Sequence, residues 1–191
     1  MTIARRCRYQ RHSTTCTPQR FPKCSSRLPA SIFATAEATK LERVSQPGAD
    51  VAIDYRTQDF VEVVAKATSG RGVDVVIDFV GAPYFARNIA SLANGGRLIL
   101  VGILGGGGNV SVELEQILYR HLQIMGTVMN SRPQEEKHAM VRRFREHWLD
   151  RFAGGTSLQP DVDSTFELAR AADAHRRMES SANVGKIILT M

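Results

Sequence analysis

The sequence predicts an α/β fold built on a doubly wound parallel sheet, with a helix–strand segment at its C-terminal end. Continuous aliphatic runs, typical of strands buried on both faces, alternate with segments whose apolar residues recur at helical spacing. Short connections containing glycine separate these elements. Strand–helix–strand alternation of this kind is the pattern of a parallel sheet with helices on both faces.

The first strand is predicted at 32–36, and a helix-compatible segment at 37–46 ends at Pro47-Gly48. The strongest strand covers 73–80 and ends at Gly81. The other predicted strands cover 51–55, 97–101, 122–129 and 186–189. Helices are predicted after the strands ending near residues 55 and 80, with a further one from about 171 to 180.

Two helix starts are predicted from capping residues. Thr57 is placed to cap the helix whose apolar face begins at Phe60. The segment 131–134, Ser-Arg-Pro-Gln, fits a capping box with proline in the first turn and opens a helix through about Phe152. Along that helix an apolar residue recurs every four positions, which favours a core or subunit contact; these residues are Met140, Phe144, Trp148 and Phe152.

The net charge of +6 comes from the beginning of the chain, where seven basic and no acidic residues lie between Met1 and Ala36. The remainder is nearly neutral, so its charge gives no support to nucleic-acid binding by the folded part. The tract 1–30 is rich in Arg, Ser, Thr and Pro, and we expect it to be disordered. A mitochondrial presequence, a polyanion-binding tail and an artefact of the gene model or a frameshift are the other interpretations.

The cysteines indicate neither a metal site nor a disulfide framework. Cys7, Cys16 and Cys24 all lie in the tract 1–30 and lack the paired spacing of a structural zinc site. The cysteine-free remainder is typical of a cytoplasmic protein. No apolar run reaches the roughly 18 residues of a membrane-spanning helix, so we expect no membrane association.

Several segments, taken in order, resemble one enzyme family. They are 48–55 (GADVAIDY), 75–81 (VVIDFVG), 95–102 (GGRLILVG), 171–175 (AADAH), Met178-Glu179 and 185–189 (GKIIL). The ordered set is similar to the C-terminal portion of zeta-crystallin-like quinone oxidoreductases, zinc-independent members of the medium-chain dehydrogenase/reductase superfamily. The resemblance implies a Rossmann-type domain in a homo-oligomeric, NAD(P)H-dependent reductase that transfers hydride to a quinone or similar activated carbonyl.

The same resemblance implies where the cofactor binds. The positions that match the family's cofactor-binding residues are Lys40, Tyr55, Val80, Gly81, Gly102, Ile103, Leu104, Met129, Asn130, Ser131, Asn183 and Lys186. Lys40 matches a lysine that can contact the adenosine 2′-phosphate, and Tyr55 lies beside the same end; alternatively, Lys40 is a solvated helix cation and Tyr55 merely ends a strand. Gly102 would let the backbone approach the nicotinamide ring closely.

NADPH is the favoured cofactor, with NADH the alternative. Glu37 complicates the choice, because an acid just after the second strand usually receives a ribose 2′-hydroxyl and repels a 2′-phosphate. No catalytic residue can be assigned. His175 is interpreted as a packing or capping residue of its helix.

The sequence also departs from the family. Residues 1–30 contain no glycine, so they supply neither the family's first strand nor the glycine-rich turn that binds the pyrophosphate. We therefore expect an incomplete sheet, split into two half-sheets with unpaired edges. The predicted organisation is a basic tract at 1–30, a partial dinucleotide-binding domain at 31–152, and a segment at 153–191 that would pack on a substrate-side domain.

The resulting hypothesis is a partial, truncated NAD(P)H-dependent quinone oxidoreductase that is weak or inactive alone. A non-enzymatic fragment or interaction protein is one alternative. The zinc-binding alcohol dehydrogenase branch of the same superfamily is another.

Overall fold

The computed structural model describes residues 3–5, 31–46, 48–153 and 160–191, with backbone alone for 3–5. The chain forms two compact units, Met1–Val128 and Met129–Met191. The first unit therefore ends soon after the last strand of its sheet. The sequence-based scheme, which extends the dinucleotide-binding domain to residue 152, stays a prediction about domain organisation.

A six-stranded sheet forms the framework of the first unit. Its strands are β1 (Ile3–Arg5), β2 (Ile32–Ala36), β3 (Val51–Asp54), β4 (Val73–Asp78), β5 (Leu92–Leu100) and β6 (Gln123–Gly126). Their spatial order is β3-β2-β1-β4-β5-β6. This is the order of the doubly wound dinucleotide-binding sheet, so the predicted α/β class is confirmed.

The strands of this sheet are parallel except β1, which runs antiparallel to both of its neighbours. Ile3 pairs with Ala34 and Ile77, and Arg5 pairs with Ile32 and Val75. The strands β2 to β6 thus all end at the same edge, which we call the carboxyl edge. β1 runs in the opposite direction.

The expectation of two separated half-sheets is wrong. The short strand β1 occupies the central position and bonds to β2 on one side and β4 on the other. Its backbone groups supply the donors and acceptors that the two inner edges would otherwise lack. Because it runs antiparallel, the strand is not the family's parallel first strand, and the tract 1–30 that contains it has no glycine. The rest of the tract 1–30 lies outside the described residues.

Helices connect the strands and cover the core. They are α1 (Leu41–Ser45), α2 (Phe60–Ala67), α3 (Phe85–Ser91) and α4 (Leu114–Tyr119), with short 3-10 turns at Ala38–Lys40 and Ala82–Tyr84. The core between α2, α3 and the sheet is aliphatic and aromatic, with Phe33, Ile53, Phe60, Ile89 and Leu98 each at most 3% exposed.

The residue that caps α2 differs from the one predicted. The Asp59 carboxylate accepts the backbone N–H of Val61 at 3.0 Å, while the Thr57 hydroxyl donates to Asp54 at 3.1 Å. Asp59 directly precedes the helix and has extended backbone angles, which is the geometry of an N-cap; Thr57 lies two residues too early.

The second unit contains a long helical segment and a small sheet. Its elements are α5 (Gln134–Phe144), a π-helical turn (Arg145–Leu149), α6 (Asp150–Ala153), β7 (Val162–Glu167), a 3-10 turn (Leu168–Arg170), α7 (Ala171–Glu179) and β8 (Lys186–Thr190). β7 and β8 pair in parallel. None of the helices described in either unit is long and apolar enough to cross a membrane.

Two predictions about the helical segment are wrong in part. No capping box forms, because Pro133 stands at the N-cap position of α5 and no side chain bonds there. The predicted apolar row does not belong to a core: Met140, Phe144, Trp148 and Phe152 are 38–48% exposed. The other role predicted for this row, a subunit contact, stays a prediction.

The Asp163 side chain on β7 accepts hydrogen bonds from α7 and from the connection that precedes β8. Its carboxylate, only 5% exposed, accepts hydrogen bonds from the Arg177 guanidinium on α7 at 2.5 and 2.9 Å. It also accepts the backbone N–H of Val184 at 2.9 Å, just before β8. The bonds from Arg177, and next the bond from Val184, hold the pKa of Asp163 well below its usual range.

This lowered pKa leads to a pH-dependent stability. A depressed carboxyl pKa stabilises the fold fully above the unfolded value of about 4, and the contribution is lost as the pH falls through the lower folded value. Asp163→Asn is therefore expected to be less stable than the wild type at pH 7 and to lose less stability on acidification below pH 4. Urea unfolding at pH 7, 5 and 3 measures this.

The control is Asp150→Asn, which makes the same replacement at an exposed acid at the start of α6 and shows the effect of losing one carboxylate from the unit. Parallel pH profiles for Asp163→Asn and the wild type would show that the Asp163 ionisation is not coupled to folding.

Candidate functional site

The candidate site lies at the carboxyl edge of the six-stranded sheet, where β2, β3, β4 and β5 end. Ligands of open α/β sheets bind beyond the carboxyl ends of the strands. The structure places Lys40 in the turn after β2, Tyr55 directly after β3, and Val80 and Gly81 after β4. The segment after β5 carries the remaining first-unit candidates, Gly102, Ile103 and Leu104.

An aspartate organises the turn after β4. The Asp78 side chain is fully buried, and its carboxylate accepts the backbone N–H groups of Val80 at 2.8 Å and Gly81 at 3.1 Å. Its backbone carbonyl accepts the N–H of Val101 at 2.8 Å, at the end of β5. Asp78 thus fixes the connection after β4 and aligns it with the connection after β5.

The connections after β4 and β5 are joined by backbone hydrogen bonds. Leu104 N–H donates to Phe79 at 3.0 Å, and Gly105 N–H donates to Val80 at 2.8 Å. In the other direction, Ala82 N–H donates to the carbonyl of Gly106 at 3.0 Å. We call the residues 79–82 and 101–106 the paired loops. The structure thus brings Val80, Gly81, Gly102, Ile103 and Leu104 together.

The glycines of the paired loops serve the contact between the loops. A Cβ atom on Gly81, whose φ is +91°, would lie 2.7 Å from the Gly106 carbonyl oxygen. A Cβ atom on Gly102 would lie 3.1 Å from the Phe79 carbonyl oxygen. Close approach of the loops therefore accounts for both glycines without a cofactor, although a role of Gly102 beside a nicotinamide ring stays a prediction.

A second aspartate organises the turn after β3 in a similar way. The Asp54 carboxylate accepts the backbone N–H of Arg56 at 3.0 Å and the hydroxyl of Thr57 at 3.1 Å. The Arg56 guanidinium reaches the carboxylate of Glu37 after β2, with Nη2 and Oε1 2.6 Å apart. The ends of β2 and β3 therefore carry a charged pair beside Tyr55.

Near this edge, Arg87 packs against the aromatic rings at the start of α2 and in the turn after β4. The Arg87 guanidinium carbon lies 4.6 Å from the ring centroids of both Phe60 and Tyr84. Such contacts are favourable because the ring faces carry partial negative charge. Burial raises the pKa of Tyr84, although the neighbouring Arg87 opposes the shift.

The other candidate residues lie in the second unit. Met129, Asn130 and Ser131 are exposed and precede α5; the Asn130 carbonyl accepts a hydrogen bond from the Lys137 ammonium at 3.0 Å. Asn183 donates to the carbonyl of Gly185 at 3.2 Å, and the backbone N–H of Lys186 donates to Asp161 at 2.7 Å. Their role toward a cofactor stays a prediction.

Sequence reasoning missed Asp54, Asp78 and Arg56. A repeated pattern could have indicated the aspartates, because both strands end in Ile-Asp followed by an aromatic residue, at 53–55 and 77–79. An acid within an aliphatic strand requires a local partner. Arg56 carried no such signal, since its partner Glu37 follows a different strand.

The described residues fit a dinucleotide in part. Charged side chains lie after β2 and β3, where the adenosine is predicted to bind, and the paired loops form a hydrogen-bonded edge after β4 and β5. The tract 1–30 contains no glycine from which a pyrophosphate-binding turn could be built, and β1 runs antiparallel to its neighbours. Among the described residues, no cluster of three or more His, Cys, Asp or Glu side chains could hold a metal ion.

The family pattern described as "zinc-binding dehydrogenase" matches residues 47–189, most of the chain. The chain belongs to this family, within the medium-chain dehydrogenase/reductase superfamily of oxidoreductases. It is 30% identical over 165 residues to the quinone oxidoreductase-like protein 2 of Bos taurus. The aligned region covers 86% of this chain and 46% of that protein. The synaptic vesicle membrane protein VAT-1 homolog of Danio rerio is 30% identical over 180 residues, or 87% of this chain and 37% of that protein.

Solved structures agree with this family. The quinone oxidoreductase from Thermus thermophilus, solved also in complex with NADPH, superposes with a TM-score of 0.69 at 25% identity, covering 83% of this chain and 49% of that one. An NAD-dependent alcohol dehydrogenase superposes with a TM-score of 0.64 at 32% identity, covering 83% and 43%. The chain spans less than half the length of these relatives, and the predicted family and Rossmann-type fold are confirmed.

Proposed function

We propose that this chain is the cofactor-binding half of an NAD(P)H-dependent quinone oxidoreductase and that it is weak or inactive alone. The observation that carries the proposal is the edge built by the paired loops together with the charged turns after β2 and β3. The similarity to quinone oxidoreductases supports the acceptor class, a quinone or activated carbonyl. A homo-oligomeric state and a cytoplasmic location are further parts of this proposal.

When bound, the nicotinamide would supply the hydride, and the protein would position it. Asp78 would hold the paired loops in one arrangement, so that the edge is formed before the nucleotide arrives. The turns after β2 and β3 would contact the adenosine end through Lys40, Tyr55 and Arg56. NADPH is the proposed cofactor, with NADH the alternative.

We expect low activity because the chain lacks the family's glycine-rich turn, which binds the pyrophosphate of the cofactor. Helix N-termini and glycine-rich turns are the usual anchors of a dinucleotide's phosphates. β1 is antiparallel to its neighbours, unlike the parallel strand that a glycine-rich turn follows in such sheets, and the tract 1–30 contains no glycine. The chain would therefore hold the nucleotide mainly through its adenosine end.

We expect the purified chain to bind NADPH more weakly than micromolar and to oxidise it with a quinone at less than about 1 s⁻¹, below the common enzymatic range. Nicotinamide fluorescence and absorbance follow binding and turnover, with a full-length quinone oxidoreductase as the positive control in the same assay. Tight saturable binding, or turnover at the control's rate, would contradict the expected weakness. No binding of any adenine nucleotide, even at millimolar concentration, would contradict the proposed site itself.

A further inference from the structure

The ion pair between Glu37 and Arg56 joins the ends of two strands at the adenosine side of the candidate site. Glu37 is the residue directly after β2, and Arg56 is the second residue after β3. Their side chains meet at 2.6 Å, and both are partly accessible, at 30% and 64% of the side-chain surface. A ligand beyond these strand ends would therefore meet the two charges together.

An acid in the position of Glu37 has a known physical consequence in doubly wound sheets. It accepts a hydrogen bond from a ribose 2′-hydroxyl and repels a 2′-phosphate, whereas a nearby arginine accommodates the phosphate. This chain carries both groups and pairs them. The bond to Arg56 offsets the negative charge of Glu37, and the guanidinium has further N–H donors beyond the one that Glu37 accepts.

The position of Arg56 is set by its own turn. Its backbone N–H donates to the Asp54 carboxylate at 3.0 Å, which fixes the residue at the end of β3. A hydrogen bond with the Tyr55 side chain, and next the charge of Glu37, raise the pKa of Arg56, and an arginine guanidinium is in any case always cationic in proteins. The geometry thus presents a permanent positive charge beside the acid.

We propose that Arg56 is the residue that determines preference for nucleotides carrying a 2′-phosphate. It acts in two ways, by neutralising Glu37 and by offering guanidinium donors to the phosphate. The inference rests on the proposed nucleotide-binding function and assigns the cofactor preference to a residue outside the positions that the family resemblance implies. Lys40, in the turn after β2, adds positive charge on the same side.

Stability does not complicate the test. Exposed ion pairs contribute little to the free energy of unfolding, so Arg56→Gln should fold as the wild type does. A matched control is Arg71→Gln, which removes an arginine bonded to Asp74 at the start of β4, near the opposite edge of the sheet. Both variants lower the net charge of the chain by one, which separates the local effect from the overall charge.

The experiment compares two adenine nucleotides that differ by one phosphate. The full chain is titrated with 2′,5′-ADP and with 5′-AMP by ligand-observed NMR, which measures weak dissociation constants without turnover. The wild type and Arg71→Gln are expected to prefer 2′,5′-ADP by about tenfold, the size of one charge-assisted hydrogen bond. Arg56→Gln is expected to lose that preference or reverse it, because Glu37 is left unpaired. The double variant Glu37→Gln/Arg56→Gln should show a preference for 2′,5′-ADP between that of the wild type and that of Arg56→Gln.

The outcomes distinguish the two proposals. If both nucleotides bind and Arg56→Gln keeps the wild-type preference, the role of Arg56 is wrong while the nucleotide site stands. A wild type without preference for 2′,5′-ADP overturns the role of Arg56 in the same way. If neither nucleotide binds the wild type, the proposed site and the role of Arg56 both fail.

Discussion

Replacing Asp78 with alanine is expected to lower the free energy of unfolding of the first unit by about 2–4 kcal/mol, because two backbone amides at a buried turn lose their acceptor. The side chain is fully buried, so water does not easily take over the two bonds. Chemical denaturation measures the loss. In a thermal scan it should lower the Tm by roughly 10 °C.

The control for this variant is Asp74→Ala in the same strand. Asp74 is partly exposed and bonds to Arg71 near the surface, so its removal should cost no more than about 1 kcal/mol. Asp78→Asn retains one acceptor oxygen and should fall between the two alanine variants. Equal stability of Asp78→Ala and Asp74→Ala would show that the carboxylate does not hold the turn.

The same replacement tests whether the paired loops depend on Asp78. Hydrogen exchange of the Leu104 and Gly105 amides reports on the bonds between the loops. We expect these amides to exchange faster in Asp78→Ala while the amides of β2 and β3 change less. A uniform increase across the sheet would instead indicate global destabilisation without a specific effect on the loops.

Strands made of continuous aliphatic residues could be predicted from the sequence. β2 was predicted at its observed bounds, Ile32–Ala36, because the run is apolar and the segments on either side are not. The core strand β4 was predicted to end two residues late, since Phe79 and Val80 continue the apolar pattern although they already belong to a turn. Hydrophobic pattern locates a buried strand but not the hydrogen bonds that end it.

β1 could not be predicted from local pattern. Three residues show no periodicity, and the strand is defined by pairing with partners about 30 and 70 positions away in the sequence. The role of Arg56 was hidden for the same reason, because it depends on Glu37 at the end of another strand. Long-range pairing depends on the tertiary fold, which local sequence pattern does not encode.

Local capping showed a similar limit. Thr57 was predicted to cap α2, but Asp59, two positions later, is also a good N-cap residue and is the one that caps the helix. The structure decides through Asp54, whose carboxylate accepts the Thr57 hydroxyl and leaves Asp59 to cap α2. The two residues are both good N-cap types in the sequence, and their hydrogen-bond partners in the structure distinguish them.

Gly81→Ala is expected to be as damaging as Asp78→Ala, for a different reason. The residue has a φ of +91°, which costs a non-glycine residue about 1–3 kcal/mol. In addition, its Cβ atom would lie 2.7 Å from the Gly106 carbonyl oxygen, so one of the paired loops must move. We expect a total loss of at least about 3 kcal/mol in the free energy of unfolding, measured by chemical denaturation.

Two other glycines separate the backbone strain from the clash. Gly106 has a φ of +121° with open space around its Cβ position, so Gly106→Ala should show the strain alone. Gly108 has neither a positive φ nor a close neighbour, and its replacement by alanine should be nearly neutral. Stability should therefore fall in the order Gly108→Ala, Gly106→Ala, Gly81→Ala. If Gly81→Ala were no worse than Gly106→Ala, the close contact between the paired loops would be wrong, and with it the rigid edge on which the proposed nucleotide site depends.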